Sequence, residues 1–151
     1  MDYQDNNPST YVDPREHKAL DVQDFLRKIA ILESNSGQNL NHPQVTTGIN
    51  KGTNATGQYG LMPITAMDID RQAGHPYFDD NYSPELVQKV LEKNPEIGDT
   101  LAATMASNLL AKNPQDVAAY KWLHGQYSNP SQEELDKSSR VKQFRALSNL
   151  K

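Results

Sequence analysis

The sequence predicts a single, mainly α-helical domain, on three observations. A chain of 151 residues suits one domain, which at this size buries roughly 68–70% of its unfolded surface and needs no disulfide or metal to fold. Apolar residues recur at helical spacing in several segments, and Pro or Gly separates those segments. In the one long polar segment, residues 38–56, alternation is too weak to indicate a long strand. We expect five to six short helices and one irregular or hairpin-containing loop.

Composition argues against several classes of function. The chain has no Cys, which excludes a disulfide framework, a Cys-ligated metal and a thiol nucleophile. Its formal charge of −4 argues against a nucleic-acid groove and against a polybasic membrane anchor. None of the four His residues pairs with another at a metal-binding helical spacing, and no run approaches the ~20 apolar residues of a membrane helix. We therefore expect no metal, cofactor, nucleic-acid partner or membrane partner.

The first twenty residues are rich in Asp, Asn, Pro and Thr, which predicts an extended N-terminal arm ahead of a domain over residues 21–151. The first helix is expected over residues 22–34. Asp21 can accept backbone hydrogen bonds at its start, and Gly37 suits the position just past its end. The apolar face of this helix then carries Phe25, Ile29 and Leu32.

The polar segment 38–56 is the longest stretch without a helical pattern. Within it, Val45-Thr46-Thr47 could pair with Ile49 in a short hairpin. Long loops without secondary structure of their own are often functional, so we expect this one to border a binding cleft.

Pro-containing pairs mark the boundaries of the remaining helices. Ser83-Pro84 carries two start signals, a capping hydroxyl and a Pro at the first helical position. Asn94-Pro95 and Asn113-Pro114 separate the segments that follow. The helices expected after the loop cover residues 63–73, 84–93, 95–112, 115–124 and 131–147.

Glu33 is the first residue with possible chemistry. It lies in the last turn of an apolar helix, where the negative end of the helix dipole and apolar neighbours disfavour a charged carboxylate. The protonated form is the one that a general acid needs at neutral pH. An exposed Glu at a helix end is the common alternative, so this position alone does not indicate a catalytic group.

Residues 55–66 hold a glycine-containing turn ahead of a helix. Gly57 and Gly60 allow a tight backbone turn or a close approach to a ligand, and Pro63 can then open the helix. The segment lacks the Gly-Lys-Ser/Thr of a phosphate loop, so no phosphate site is indicated. An ordinary connection from loop to helix is the alternative.

Residues 117–125 place two aromatic residues on one expected helix. Tyr120 could present its phenol to a site, although Tyr at helical spacing more often packs in a core with its hydroxyl at the edge. Trp122 could be a sugar-stacking platform, but a core position is favoured. The chain has no Gly-x-Ser-x-Gly motif of the kind found in α/β-hydrolases.

Taken together and in this order, the three segments resemble the lytic transglycosylases, the soluble type with a goose-lysozyme-like catalytic domain. The Glu-Ser motif of that family is matched by Glu33-Ser34. Its Gly and its apolar run ending in Met-Pro-x-Thr-Ala are matched by Gly57 and residues 61–66. Its Ala-Ala-Tyr, followed shortly by Gly, is matched by residues 118–120 and Gly125. The resemblance covers about residues 22–126.

The chain departs from the family pattern in three places. Gly60 stands where the second motif usually has Gln, and Lys121 stands where the third motif has Asn. Both changes affect expected contacts with the sugar. The stretch between Glu33 and Gly57 is also longer than in the commonest members, which suggests a different lip over the cleft.

The resemblance implies a lysozyme-like α domain that cleaves peptidoglycan glycan strands between N-acetylmuramic acid and N-acetylglucosamine, without a cofactor. Glu33 would protonate the glycosidic oxygen and then accept the proton of the muramoyl C6 hydroxyl, which attacks C1 and closes a 1,6-anhydro ring. Tyr120 would be the second catalytic residue, positioning Glu33 or the sugar. The substrate-binding residues implied are Ser34, Gly57, Gln58, Tyr59, Gly60, Met62 and Lys121.

Two other functions stay open. A lysozyme-type hydrolase would use water and would need a second carboxylate to activate it, for which Asp68 and Asp70 are candidates that the sequence does not place. A non-catalytic peptidoglycan-binding or structural module of a phage particle is the third possibility. Product analysis separates the first two, and a Glu33→Gln variant separates both from the third.

The N-terminal residues lack the charged and apolar regions of a secretory signal. An enzyme that acts on the bacterial cell wall would then be delivered by a phage, in the virion or through a holin, or would be part of a longer chain. Phage delivery would add other virion or lysis proteins as partners.

Overall fold

The computed structural model describes the backbone of residues 14–148 and the side chains of residues 21–148. Within this range the chain forms seven α-helices and no extended strand, which confirms the mainly α class. No described helix is both long and apolar enough to cross a bilayer. The helices are α1 (Pro14–Ser34), α2 (Pro63–Gln72), α3 (Pro84–Lys93), α4 (Pro95–Leu110), α5 (Gln115–His124), α6 (Gln132–Lys137) and α7 (Ser139–Leu147).

Helix α1 begins earlier than predicted. Its first residue is Pro14, so the extended arm is wrong for residues 14–20, and Asp21 lies inside the helix instead of capping it. Pro suits a first helical position because its missing N–H would be unpaired there, and most of the residues from Arg15 to Leu20 are good helix formers. The predicted arm over residues 1–13 lies outside the described residues.

The Pro-marked boundaries of α2 to α5 are confirmed to within one or two residues, and α5 covers the predicted span. The last predicted helix, 131–147, is instead two helices that meet at Ser138. The Ser138 backbone is extended and its hydroxyl accepts a hydrogen bond from the Val141 N–H, so it ends α6 and caps α7. Ser131 caps α6 through a capping box with Glu134.

Helix α4 lies at the centre of the domain. It packs against α1, α2, α3 and α5, while α7 packs against α1, α5 and α6. The Ala residues of α4 allow neighbouring helices to approach closely, and its larger side chains fill the core between them. The buried residues of α4 are Leu101, Ala102, Met105, Ala106 and Leu109.

An aromatic cluster closes the core at α1. The Phe25 ring lies 5.8 Å from the Trp122 ring and 5.5 Å from the Phe144 ring, measured between centroids, which joins α1 to α5 and α7. Trp122 thus packs against the core, as the sequence favoured.

The loop between α1 and α2 contains a short hairpin, but not the predicted one. The Val45 N–H donates to the Thr53 carbonyl at 2.8 Å, and the Gly52 N–H donates back to the Val45 carbonyl at 2.9 Å. Residues 46–51 form the turn between these partners, so Ile49 lies at the tip and is 82% exposed. Pairing of 45–47 with Ile49 was therefore wrong, because the chain needs more residues to reverse.

Candidate active site

Glu33 lies in the last turn of α1, and its side chain is only 14% exposed. One carboxylate oxygen, Oε1, is ion-paired with the Arg140 guanidinium from α7. The same guanidinium nitrogen lies 3.3 Å from the Leu32 carbonyl, to which it also donates. The carboxylate is thus held at the end of α1 by a cation from the last described helix.

Ser34 is buried beneath this carboxylate. Its hydroxyl lies 2.7 Å from the Gln58 carbonyl and 3.1 Å from the Ala30 carbonyl, and it accepts the Gly37 N–H at 2.8 Å. These partners are all backbone groups. Ser34 therefore braces the end of α1 against the loop that carries Gln58, and its implied role in binding substrate stays a prediction.

Residues 57–60 form a tight turn that packs on Glu33. Thr56 and Leu61 exchange backbone hydrogen bonds at 2.8 and 2.9 Å, which closes the turn. Gly57 and Gly60 both have positive φ, +72° and +64°. A Cβ built on Gly60 would lie 1.9 Å from Oε2 of Glu33, so the second carboxylate oxygen occupies the space that a side chain at 60 would need.

This packing explains why position 60 is glycine. No side chain fits at position 60 while the Glu33 carboxylate keeps its position, and the left-handed backbone there also favours glycine. The tight turn expected at Gly60 is present, and the close approach is to the Glu33 carboxylate, which the sequence did not predict.

Three hydrogen bonds fix the turn to the rest of the molecule. The Trp122 indole N–H donates to the Tyr59 carbonyl at 3.0 Å, and Ser34 reaches the Gln58 carbonyl as described above. The His42 Nε2 lies 2.8 Å from the Gly57 carbonyl, to which it donates in the Nε2–H tautomer. Elements distant in sequence therefore hold residues 57–60 against the carboxylate.

The other predicted residues of the second segment lie around this turn. Tyr59 packs against the core, and burial, with a smaller effect of the Asp99 carboxylate, raises the pKa of its phenol. The Gln58 amide donates to Asp99 at 3.3 Å, and Met62 is half-buried just before α2.

The third segment is only partly brought to the site. The Tyr120 ring stacks on His124 with centroids 4.3 Å apart, and no hydrogen bond joins its hydroxyl to Glu33 among the described residues. The Lys121 ammonium donates to the Ser128 carbonyl and to the Asn129 side chain, in the loop that follows α5. Their proximity to a bound sugar remains a prediction of the resemblance.

Arg140 is the site residue that sequence reasoning missed. It is 107 residues from Glu33 and belongs to no motif, so it looks like any exposed cation of a helix. The available signal was indirect: a carboxylate expected to be mostly buried needs a cation or hydrogen-bond donors. That signal predicts a partner for Glu33 but does not identify which of the 15 Lys and Arg residues it is.

Two cavities lie beside the candidate residues. One of about 470 Å³ is bordered by Leu40 to Pro43, by Asn54 to Gly57 and by the facing residues of α3 and α4. Another of about 640 Å³ lies between α2 and residues 124–128. The long loop borders the first cavity, but Glu33 lines neither cavity, so the place of this loop beside a binding cleft stays a prediction.

The two Asp residues considered as a second carboxylate are engaged elsewhere. Asp70 is fully buried and accepts the Tyr77 and Phe78 N–H groups, each at 3.0 Å, which ties α2 to the following loop. Asp68 accepts hydrogen bonds from Gln126 at 2.9 Å and from the Tyr127 hydroxyl, and that bond raises the pKa of Tyr127. Among the described residues, no group of three or more His, Asp or Glu is placed to hold a metal ion.

No protein-family model matches the chain, and neither a curated protein nor a solved structure matches it.

Proposed function

We propose that this protein is a peptidoglycan lytic transglycosylase with a lysozyme-like α domain and with Glu33 as its general acid and base. One observation carries the proposal. The first two motif segments, which are separated in sequence by the long loop, meet at a single mostly buried carboxylate, with Ser34 on the Gln58 carbonyl and Gly60 against Oε2. Burying a carboxylate costs free energy, and titratable groups held in such positions cluster at functional sites.

The proposed reaction needs one carboxylate. Protonated Glu33 gives its proton to the glycosidic oxygen as the bond from that oxygen to C1 of N-acetylmuramic acid breaks. The C6 hydroxyl of the same sugar attacks C1 and returns its proton to the Glu33 carboxylate. The products are a free 4-hydroxyl on N-acetylglucosamine and a 1,6-anhydro end, so no water is consumed. Because the nucleophile belongs to the substrate, proximity replaces the second catalytic carboxylate.

The state of the two Asp residues supports this route over hydrolysis. Water-dependent cleavage requires a second carboxylate that is free to activate water or stabilise the cation. Asp70 is buried and accepts two backbone N–H groups, and Asp68 already accepts several hydrogen bonds. Because both carboxylates are engaged in these contacts, a muramidase mechanism that uses either of them has less support.

One observation favours a non-catalytic peptidoglycan-binding or virion module instead. A carboxylate paired with Arg140 at a helix end also has a purely structural use, as a tie between α1 and α7. In either case peptidoglycan glycan strands are the proposed partner, reached by phage delivery with other virion or lysis proteins or as part of a longer chain.

The test is product analysis on purified peptidoglycan. We expect the wild-type protein to release muropeptides with 1,6-anhydro ends and the Glu33→Gln variant to release none, since an amide neither donates nor accepts the catalytic proton. Asp24→Asn is a matched control on the same helix, where Asp24 pairs with Arg27 and Lys28. Reducing muramic ends would indicate the hydrolase, and full activity of Glu33→Gln would show that Glu33 is not the general acid.

A further inference from the structure

We propose that Arg140 is a positioning residue of this site, which holds Oε1 of Glu33 so that Oε2 is the oxygen that exchanges protons with the sugar. This inference rests on the proposed function. It concerns a residue outside all three motif segments, contributed by α7.

The first support is that the guanidinium is anchored on α1 itself. It binds Oε1 of Glu33 and also donates to the Leu32 carbonyl, one residue earlier in the same last turn. Carbonyls in the last turn of a helix lack intrahelical partners, and a cation there also complements the helix dipole. Arg140 therefore keeps a fixed position relative to the end of α1 even if the carboxylate moves.

The second support is the difference between the two carboxylate oxygens. Oε1 faces a guanidinium, which stays charged in proteins and has donors only, so it can neither supply a proton to Oε1 nor accept one from it. Oε2 lies over Gly60, where a side chain is missing. A proton carried on Oε1 would point at the cation, so the exchangeable proton belongs on Oε2.

The third support is the first half of the reaction. Glu33 becomes a carboxylate as it gives its proton to the glycosidic oxygen, and the Arg140 charge stabilises the carboxylate that forms in that step. The same contact restricts the rotamers of a side chain that otherwise has three free torsions. Both effects act through Glu33, and neither requires contact between Arg140 and the sugar.

The competing explanation is that Arg140 only ties α7 to α1. Arg145 allows the positioning role to be distinguished from the structural one. It lies on the same helix and forms ion pairs between helices, but it does not contact Glu33. It binds Asp116 at 2.8 Å and Asp136 at 3.0 Å. Removing its charge changes the net charge as much as removing that of Arg140 does.

The experiment compares Arg140→Gln, Arg140→Lys and Arg145→Gln on solubilised glycan strands, with anhydro ends quantified and Tm measured for each. We expect Arg140→Gln to lower kcat about 100-fold with KM unchanged, as for a catalytic group that is misplaced but still binds substrate. Arg140→Lys should recover part of kcat, since an ammonium restores the charge but not the planar donor fork. Arg145→Gln should lower Tm and keep kcat.

Several results would overturn the inference. Wild-type kcat in Arg140→Gln would do so while leaving the proposed function intact, provided that Glu33→Gln is inactive. Equal loss of kcat in Arg140→Gln and Arg145→Gln, in proportion to Tm, would assign Arg140 a structural role only. If Arg140→Gln does not fold, Arg140→Met takes its place as the uncharged variant, and wild-type kcat there overturns the inference. Absence of cleavage by the wild-type protein would overturn both proposals.

Discussion

Gly60 is a position where the identity of one residue is dictated by a neighbour distant in sequence. Its positive φ already favours glycine, but several other glycines share that property and have open space where a Cβ would be. At Gly60 that space is occupied by the Glu33 carboxylate. The two residues are therefore coupled, because a larger residue at position 60 would displace the Glu33 side chain.

Gly60→Ala is expected to remove activity and to lower stability. Its Cβ would fall 1.9 Å from Oε2 of Glu33, so the carboxylate must move, and a shift of this size costs on the order of 100-fold in rate. The positive φ adds about 1 kcal/mol of strain. Cleavage assays and urea denaturation measure the two effects.

Gly74→Ala is the matched control for that prediction. Gly74 also has a positive φ, +91°, but nothing lies within 4 Å of a Cβ built there. It should therefore lose about 1 kcal/mol of stability and keep full activity. Equal activity of the two variants would mean that the packing of Gly60 on Glu33 does not matter for cleavage.

Among the helices, the prediction of boundaries succeeded where a local signal exists. Ser83 caps α3 as expected because its hydroxyl needs only the Leu86 N–H, three residues away. The division at Ser138 was missed because a Ser within a helical pattern can either cap a new helix or lie on the exposed face of one continuous helix. Packing of α7 against α1 and α5 determines which of the two occurs, and this packing cannot be read from the local sequence.

The same limit separates the two halves of the candidate site. Glu33 and the 57–60 turn were found because each lies in a recognisable segment. Arg140 was not, because an ion pair over 107 residues depends on how α7 is docked. Likewise, Gly60 could be read as a turn residue, whereas its contact with the carboxylate requires the fold.

Helices α5, α6 and α7 are tied together by Arg145, and this tie should depend on pH. The hydrogen bond from Arg145, and a second from Gln132, hold the pKa of Asp136 below its ordinary value. The folded pKa is thus lower than the unfolded one, so the tie stabilises the fold above about pH 3.9 and is lost as pH falls through the folded pKa.

The measurement is Tm against pH for the wild-type protein and Arg145→Gln. The difference in Tm should be constant from pH 7 to about pH 5 and should shrink below about pH 4, because Asp136 takes up a proton first in the unfolded state and only at lower pH in the folded state. An equal difference at pH 3 and pH 7 would show that the stabilisation by Arg145 does not depend on this ion pair.

For the whole molecule, the cluster of Phe25, Trp122 and Phe144 joins the N-terminal helix to the last ones. Phe25 is fully buried at the centre of this cluster. Removal of a buried aromatic side chain costs both its transfer free energy and the cavity left behind. The free energy of unfolding should therefore depend strongly on Phe25, although it lies outside the site.

Phe25→Ala is expected to lower the free energy of unfolding by about 3–5 kcal/mol. Trp122 is the only Trp in the chain and contacts Phe25, so its fluorescence during urea denaturation reports the loss directly. Ile49→Ala, at the exposed tip of the loop, should change stability by no more than about 0.5 kcal/mol. Comparable losses in the two variants would contradict the described core.

The distance along the chain between Glu33 and Arg140 has a consequence for synthesis. At about 5–20 residues per second, a ribosome makes the guanidinium roughly 5–20 seconds after the carboxylate. In the last part of that interval, after Gly125, the nascent chain contains all three motif segments but not the cation that pairs with Glu33. The order of translation therefore delays the Glu33–Arg140 ion pair until α7 has been made, so the carboxylate at the end of α1 is among the last groups to find its partner.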